Sequence, residues 1–148
     1  DGTGDLFNYF RTDGDYATVL KNIVEVAPLV NSFLFVCTTS AYHAFYMNEI
    51  YNDFQDIKKS IPNNKINIRT TFVHWPQALD IVNLDEDTKD EILNNLVVND
   101  FTAEFAKRLK GKRTTDVGKF KELVRLQDEL YEVSCEHLVP KIWNYIWK

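Results

Sequence analysis

The run Phe33-Leu34-Phe35-Val36-Cys37 constrains the fold more than any other stretch of the chain. It is apolar at every position, and Thr38-Thr39-Ser40 extends it. A short run without alternation fits a strand buried on both faces, as in a parallel sheet. Helical spacing lies on each side. Asp13-Gly14-Asp15 is turn chemistry that supplies an N-cap, and Tyr16, Val19, Leu20, Ile23 and Ala27 follow until Pro28 ends the helix. Downstream, Tyr42, Phe45, Tyr46, Ile50, Phe54 and Ile57 share one helical face, which Pro62-Asn63-Asn64 breaks. Ile66, Ile68, Thr70 and Phe72 then alternate with Asn67, Arg69, Thr71 and Val73, a β-branched strand pattern. Helix, buried strand, helix, strand is a βαβ order, with a right-handed crossover expected.

After Trp75-Pro76 the pattern turns helical. Leu84-Asp85-Glu86-Asp87 places a cap and acidic residues at a helix start, ahead of the apolar face Ile92, Leu93, Leu96 and Val97. Asn99-Asp100 caps a helix with Phe101, Phe105 and Leu109, closed by Lys107, Arg108, Lys110 and Gly111. Asp116 opens another with Phe120, Leu123, Val124, Leu130 and Tyr131, and Pro140 suits the first turn of a last one with Ile142, Trp143 and Ile146. Residues 1–14, around Leu6-Phe7-Asn8-Tyr9-Phe10, read as a loop with a strand end, and Lys110 to Asp116 as a mobile linker. The fold class is α/β followed by a mainly helical region, with the division after residue 76 and no internal repeat.

Composition removes several classes. The chain has 148 residues, 45% hydrophobic and 26% charged, with five Gly and four Pro, which excludes disorder and low complexity. Cys37 and Cys135 form no CxxC, so a zinc ribbon or thioredoxin-type site is excluded, as is a cluster held by this chain alone. One disulfide is possible, but two lone thiols suit a reducing cytosol equally, and a cytoplasmic location is expected. No membrane span and no signal peptide is expected. A net charge of −5 argues against a nucleic-acid partner.

Chemistry-bearing residues gather after the two strands. Ligands sit at the carboxyl ends of strands in parallel α/β folds, where Thr38, Thr39, Ser40, Tyr42 and His43 follow the first strand and His74 the second. The structural alternatives are a helix cap with a surface histidine, and a strand-end residue packed on Trp75. His137 reads as structural. Lys107 to Arg113 reads as a solvated helix end rather than a phosphate site, because no aromatic platform is interleaved with it. Asp85 to Glu91 lacks a calcium-loop pattern. Trp143 and Trp147, four apart, read as core or interface.

These fragments, taken in order, resemble the radical S-adenosylmethionine (radical SAM) enzymes of the SPASM/twitch type. Asp1-Gly2, Phe7-Asn8-Tyr9-Phe10-Arg11 and Asp15 to Ile23 resemble the "DG … yiR … w…v..ni" segment after a mid-barrel strand. Thr38-Thr39-Ser40-Ala41-Tyr42-His43-Ala44-Phe45-Tyr46-Met47 is similar to the "tvs.yNa.yl" strand-to-helix turn. Phe72-Val73-His74-Trp75-Pro76 with Leu79 to Leu84 resembles "v..P..l.i..LP", where the chain leaves the barrel. Leu126-Gln127-Asp128-Glu129-Leu130 with Val139-Pro140 resembles the closing "lD..R…..PE" helix. His43 stands where the family commonly has Asn, Tyr131 where it has Arg, and the defining CxxxCxxC is absent.

The resemblance implies a C-terminal portion of such an enzyme, with the cysteine motif upstream of Asp1. Residues 1–76 would belong to a partial TIM-like parallel barrel and 77–148 to a twitch-like helical region. The cofactors implied are S-adenosylmethionine and a [4Fe–4S] cluster, both belonging to the longer parent. The substrate implied is a peptide or peptide-like molecule. By matching position, Asp1, Ser40 and His43 stand near the cofactor and His74 near the substrate, with no catalytic acid or base assigned. Two rivals remain. One is a non-enzymatic α/β binding module whose tail, with Trp143 and Trp147, docks a protein partner and whose sheet should be closed. The other is a small-molecule enzyme that brings His43 and His74 to one pocket.

Overall fold

A computed structural model describes residues 2–11, 13–61, 65–114 and 117–147, without the side chains of Lys65 and Val117. The chain opens with helix α1 (Gly4–Phe10), which buries Leu6 and Tyr9 one turn apart. The sequence pattern suggests a loop and strand end here, and the structure corrects that. Seven residues are too few for intrinsic helicity, and the tertiary contacts of Leu6 and Tyr9 decide the state. Gly2 at the entry has φ 84°, a left-handed value that favours glycine.

Helix α2 (Tyr16–Val26) starts where Asp15 is expected to cap it. Its carboxylate accepts from the Ala17 and Thr18 amides at 3.1 Å each, and from the Thr18 hydroxyl. A 3-10 turn holding Pro28 ends it. Strand β1 (Ser32–Thr39), helix α3 (Met47–Ser60) and strand β2 (Lys65–Phe72) follow, and β1 pairs with β2 in parallel from Ser32↔Lys65 to Thr39↔Phe72. This is the expected βαβ unit. Pro62-Asn63-Asn64, expected to break α3, lie outside the described residues.

The expectation that β1 is buried on both faces is not met. Burial alternates along it. Phe33, Phe35 and Cys37 face α2 and α3, while Leu34 is 55% exposed and Val36 42%. Asn67 and Arg69 of β2 are exposed as well. Helices cover one face of the pair, so an apolar run that reads as doubly buried is half-solvated. Neither outer edge of this two-stranded sheet has a strand partner among the described residues.

The remainder is helical, as expected: α4 (Glu86–Asn95), α5 (Ala103–Leu109), α6 (Val117–Tyr131), α7 (Cys135–Leu138) and α8 (Pro140–Ile146). Asp85 caps α4 through the Thr88 amide and hydroxyl, and Pro140 occupies the first turn of α8. Asn99 accepts from the Phe101 and Thr102 amides in the turn before α5. Asp116, expected to open α6, lies outside the described residues, as do Thr115 and therefore part of the expected linker. The larger core joins Leu6, Tyr9, Tyr42 and Met47 to Phe105, Phe120, Val124 and Ile142, so it runs across the change of character at Trp75-Pro76. A smaller one, of Ala27, Phe54, Ile61 and Ile66, lies under the sheet. Among the described residues no helix is long and apolar enough to cross a membrane.

Candidate functional site

The parallel register brings the carboxyl ends of both strands together, and the Val73 amide adds a bond to the Thr39 carbonyl at 2.9 Å. Two polar groupings sit there. After β1 the chain enters a 3-10 turn, Ala41–His43, through a reciprocal cap. The Ser40 amide donates to His43 Nδ1 at 3.1 Å, and the Ser40 hydroxyl lies 2.9 Å from the same nitrogen. An amide can only donate, so Nδ1 is an acceptor and the neutral ring carries its proton on Nε2. The ring stacks on Phe10, with centroids 5.2 Å apart and planes 8° apart. His43 is 3% exposed, and this burial pushes its pKa down to about 3. The cap is as expected, but the histidine is a core residue rather than a surface one. Among the described residues its Nε2 is buried without a hydrogen-bond partner, as is the Tyr46 hydroxyl. A buried donor left unpaired costs about 1–3 kcal/mol.

After β2 the grouping is open. Arg108 of α5 lies over the Phe72 ring at 5.3 Å and forms a two-point pair with the nearly buried Asp80. Its Nη2 donates to His74 Nδ1 at 2.8 Å, and His74 Nδ1 is also 3.5 Å from Asp80. Trp75, next to His74 in the chain, is 82% exposed. The helix-end cations thus separate: Arg108 is recruited to the strand end, while Lys107 and Lys110 are solvated.

The two histidines have different partners and opposite exposure, and neither lines any of the three clefts described. Such an arrangement does not favour a pocket shared by His43 and His74. Asp1 lies outside them. Trp143 and Trp147 stack at 4.2 Å, with the Lys121 ammonium 4.8 Å from the Trp147 ring centroid. His137 is an exposed residue of the short helix α7.

One grouping has no local sequence signature. Asp128 of α6 accepts from the Tyr9 hydroxyl at 2.9 Å and from the Cys135 amide at 3.0 Å, while Gln127 donates to the Tyr9 carbonyl at 3.1 Å. The closing Asp128 of the resemblance therefore clasps α1 to α7. Burial, above all, raises the Tyr9 hydroxyl pKa and pushes the Cys135 thiol up to about 12. Cys37 and Cys135 are both free and buried, and burial likewise raises the Cys37 pKa, so both are protonated, unreactive thiols. Among the described residues no group of three or more His, Cys, Asp or Glu could hold a metal. The residues present do not fit an iron–sulfur cluster.

No family model, no curated protein and no solved structure matches the chain.

Proposed function

We propose that this chain is the SAM- and substrate-facing C-terminal portion of a radical SAM enzyme, acting in its parent on a peptide or peptide-like substrate. The βαβ unit is then a segment of a partial parallel barrel, and the helical region its twitch-like continuation. The observation that carries the reading is the unfinished sheet. Parallel strands are normally covered on both faces and flanked by further strands, and a two-stranded parallel sheet is marginal by itself. Here Leu34 and Val36 are exposed on one face, and Val24, Val26, Leu29 and Val30 add exposed apolar surface in the preceding segment. A binding module complete in itself should have a closed sheet, so these features favour the fragment reading over the docking module.

His43 supports a ligand near the first strand end. Its Nε2–H is a buried donor that lacks an acceptor among the described residues. In the parent, Ser40 holds the ring orientation through Nδ1 and His43 presents Nε2–H to an acceptor atom. Asp1 is the other cofactor-side candidate, and His74, solvent-facing on Arg108, is the substrate-side candidate. The bound cluster and SAM supply the radical chemistry when present, and this chain supplies binding and shielding.

The coding sequence preceding Asp1 and the activity of its product test the reading. A CxxxCxxC in frame, with reductive cleavage of SAM to 5′-deoxyadenosine by the iron-reconstituted parent, is the expected result. A parent that lacks the cysteine motif, or one that has it yet releases no 5′-deoxyadenosine, overturns it.

A further inference from the structure

The largest described cleft, about 450 Å³, lies between α3, α4 and α8, with Ala44 and Phe45 of the segment after β1 in its lining. That volume is within the range of small-ligand sites. Ala44, Met47 and Ile92 give it an apolar floor, and Phe45 and Tyr145, with ring centroids 5.4 Å apart, form a wall.

Its polar inventory is unbalanced. Asn48 is committed: Nδ2 donates to the Asn95 carbonyl at 2.8 Å and Oδ1 accepts from the Val97 amide at 3.0 Å. Lys141 is committed: it donates to the Phe45 carbonyl at 3.2 Å, pairs with Glu49 and lies over the Tyr46 ring at 4.8 Å. The Tyr145 hydroxyl accepts from the Asp85 amide. Asn95 donates Nδ2 to the Glu91 carbonyl at 2.8 Å, which leaves its Oδ1 available. The lining groups still open are therefore the Glu91 carboxylate, Asn95 Oδ1 and the Asn144 carboxamide. Acceptors predominate. The Lys141 charge is matched by Glu49, so the cleft presents the Glu91 charge without a cation against it among the described residues.

We propose that the α3–α4–α8 cleft binds a compact organic cation, an alkylammonium or guanidinium on a short apolar or aromatic stem. The head sits at Glu91 and the amide oxygens, and the stem lies along the Phe45–Tyr145 wall. A neutral ligand leaves the carboxylate solvated and gains only from the wall, and an anion is repelled. Glu91 is on the rim and solvent-screened, so the charge contributes selectivity more than affinity. This assignment does not rest on the radical SAM reading.

Titration of the chain by NMR tests it, following the Tyr145 ring and the Asn95 and Asn144 side-chain amides. The probes are 2-phenylethylamine, its neutral counterpart 2-phenylethanol, and N-acetyl-arginine methylamide, which represents a basic side chain of a peptide. The amine is expected to bind saturably and about two- to fivefold more tightly than the alcohol. Saturable binding of the arginine derivative at the same residues marks a peptide side chain as the source of the cation. Its failure beside a bound amine marks a free amine. Glu91→Gln should erase the preference for the amine, and Asn144→Asp, which adds a second carboxylate, should tighten amine binding. Equal affinity for amine and alcohol, or an unchanged preference in a folded Glu91→Gln, overturns the proposal. So does absence of any saturable shift with the cationic probes.

Discussion

Along β1, Cys37 and Thr39 are buried while Leu34 and Val36, one residue out of phase, face solvent. In the helical half, Phe105, Leu109, Val124 and Ile142 are enclosed completely. Both regions are built from similarly apolar segments, so the difference is not one of composition. A helix needs one apolar stripe covered, and its neighbours in a short-looped helical region supply that cover. A parallel strand needs cover on two faces and pairing on two edges, and the described residues provide about half of each. The sheet region therefore keeps unpaired strand edges among the described residues, which helices do not have, while exposed apolar side chains occur in both halves, Leu34 and Val36 in one and Val98 and Leu130 in the other.

Substitutions that probe each region should show the asymmetry. The largest effect is expected from Phe105→Ala. It removes a fully buried ring from the larger core and should cost about 3–5 kcal/mol, measured as a fall in denaturant midpoint. Asp128→Ala comes next. It strands the Tyr9 hydroxyl and the Cys135 amide in the clasp between α1 and α7 and should cost about 2–3 kcal/mol, with the protection of α1 amides from exchange falling most. A loss confined to α6 would show that the clasp does not tie α1 down.

His43 should act through pH. Its folded pKa, about 3, lies below the ordinary histidine value, so the unfolded chain binds the extra proton between the two. The stability from its neutral burial is thus fully present above about pH 6.5 and is lost as pH falls toward the folded value, at up to about 1.4 kcal/mol per pH unit. His43→Gln should flatten that slope between about pH 6 and pH 4 in melts run across the window. An unchanged slope would assign the acid loss to other groups. The smallest effect is expected from Leu34→Thr, which should alter stability by about 0.5 kcal/mol or less in denaturant melts. A loss as large as that of Phe105→Ala would mean that the outer face is covered after all.

Much of this architecture is legible from local pattern. Asp15, Asp85, Pro28 and Pro140 mark helix ends because capping and proline geometry are local. The βαβ order follows from a period of 3.6 between two strand-like runs. The candidate groups at the strand ends, Ser40, His43 and His74, are legible because chain direction puts them there. Their environments are not. The packing of Phe10 buries His43, and Arg108, thirty-four positions away, takes up His74. Helix α1 escapes the pattern because seven residues cannot display a period and its register is set by Tyr9 meeting Asp128.

The helix caps, the parallel βαβ unit and the helical character of the second half follow from local pattern, since each depends on spacing and backbone chemistry within a few turns. The tertiary structure alone decided which face of the sheet stays open, which histidine is enclosed, and where the uncommitted acceptors of the α3–α4–α8 cleft converge. Those are properties of surfaces meeting across long sequence separations. They depend on which groups remain unpaired once every local bond has been made.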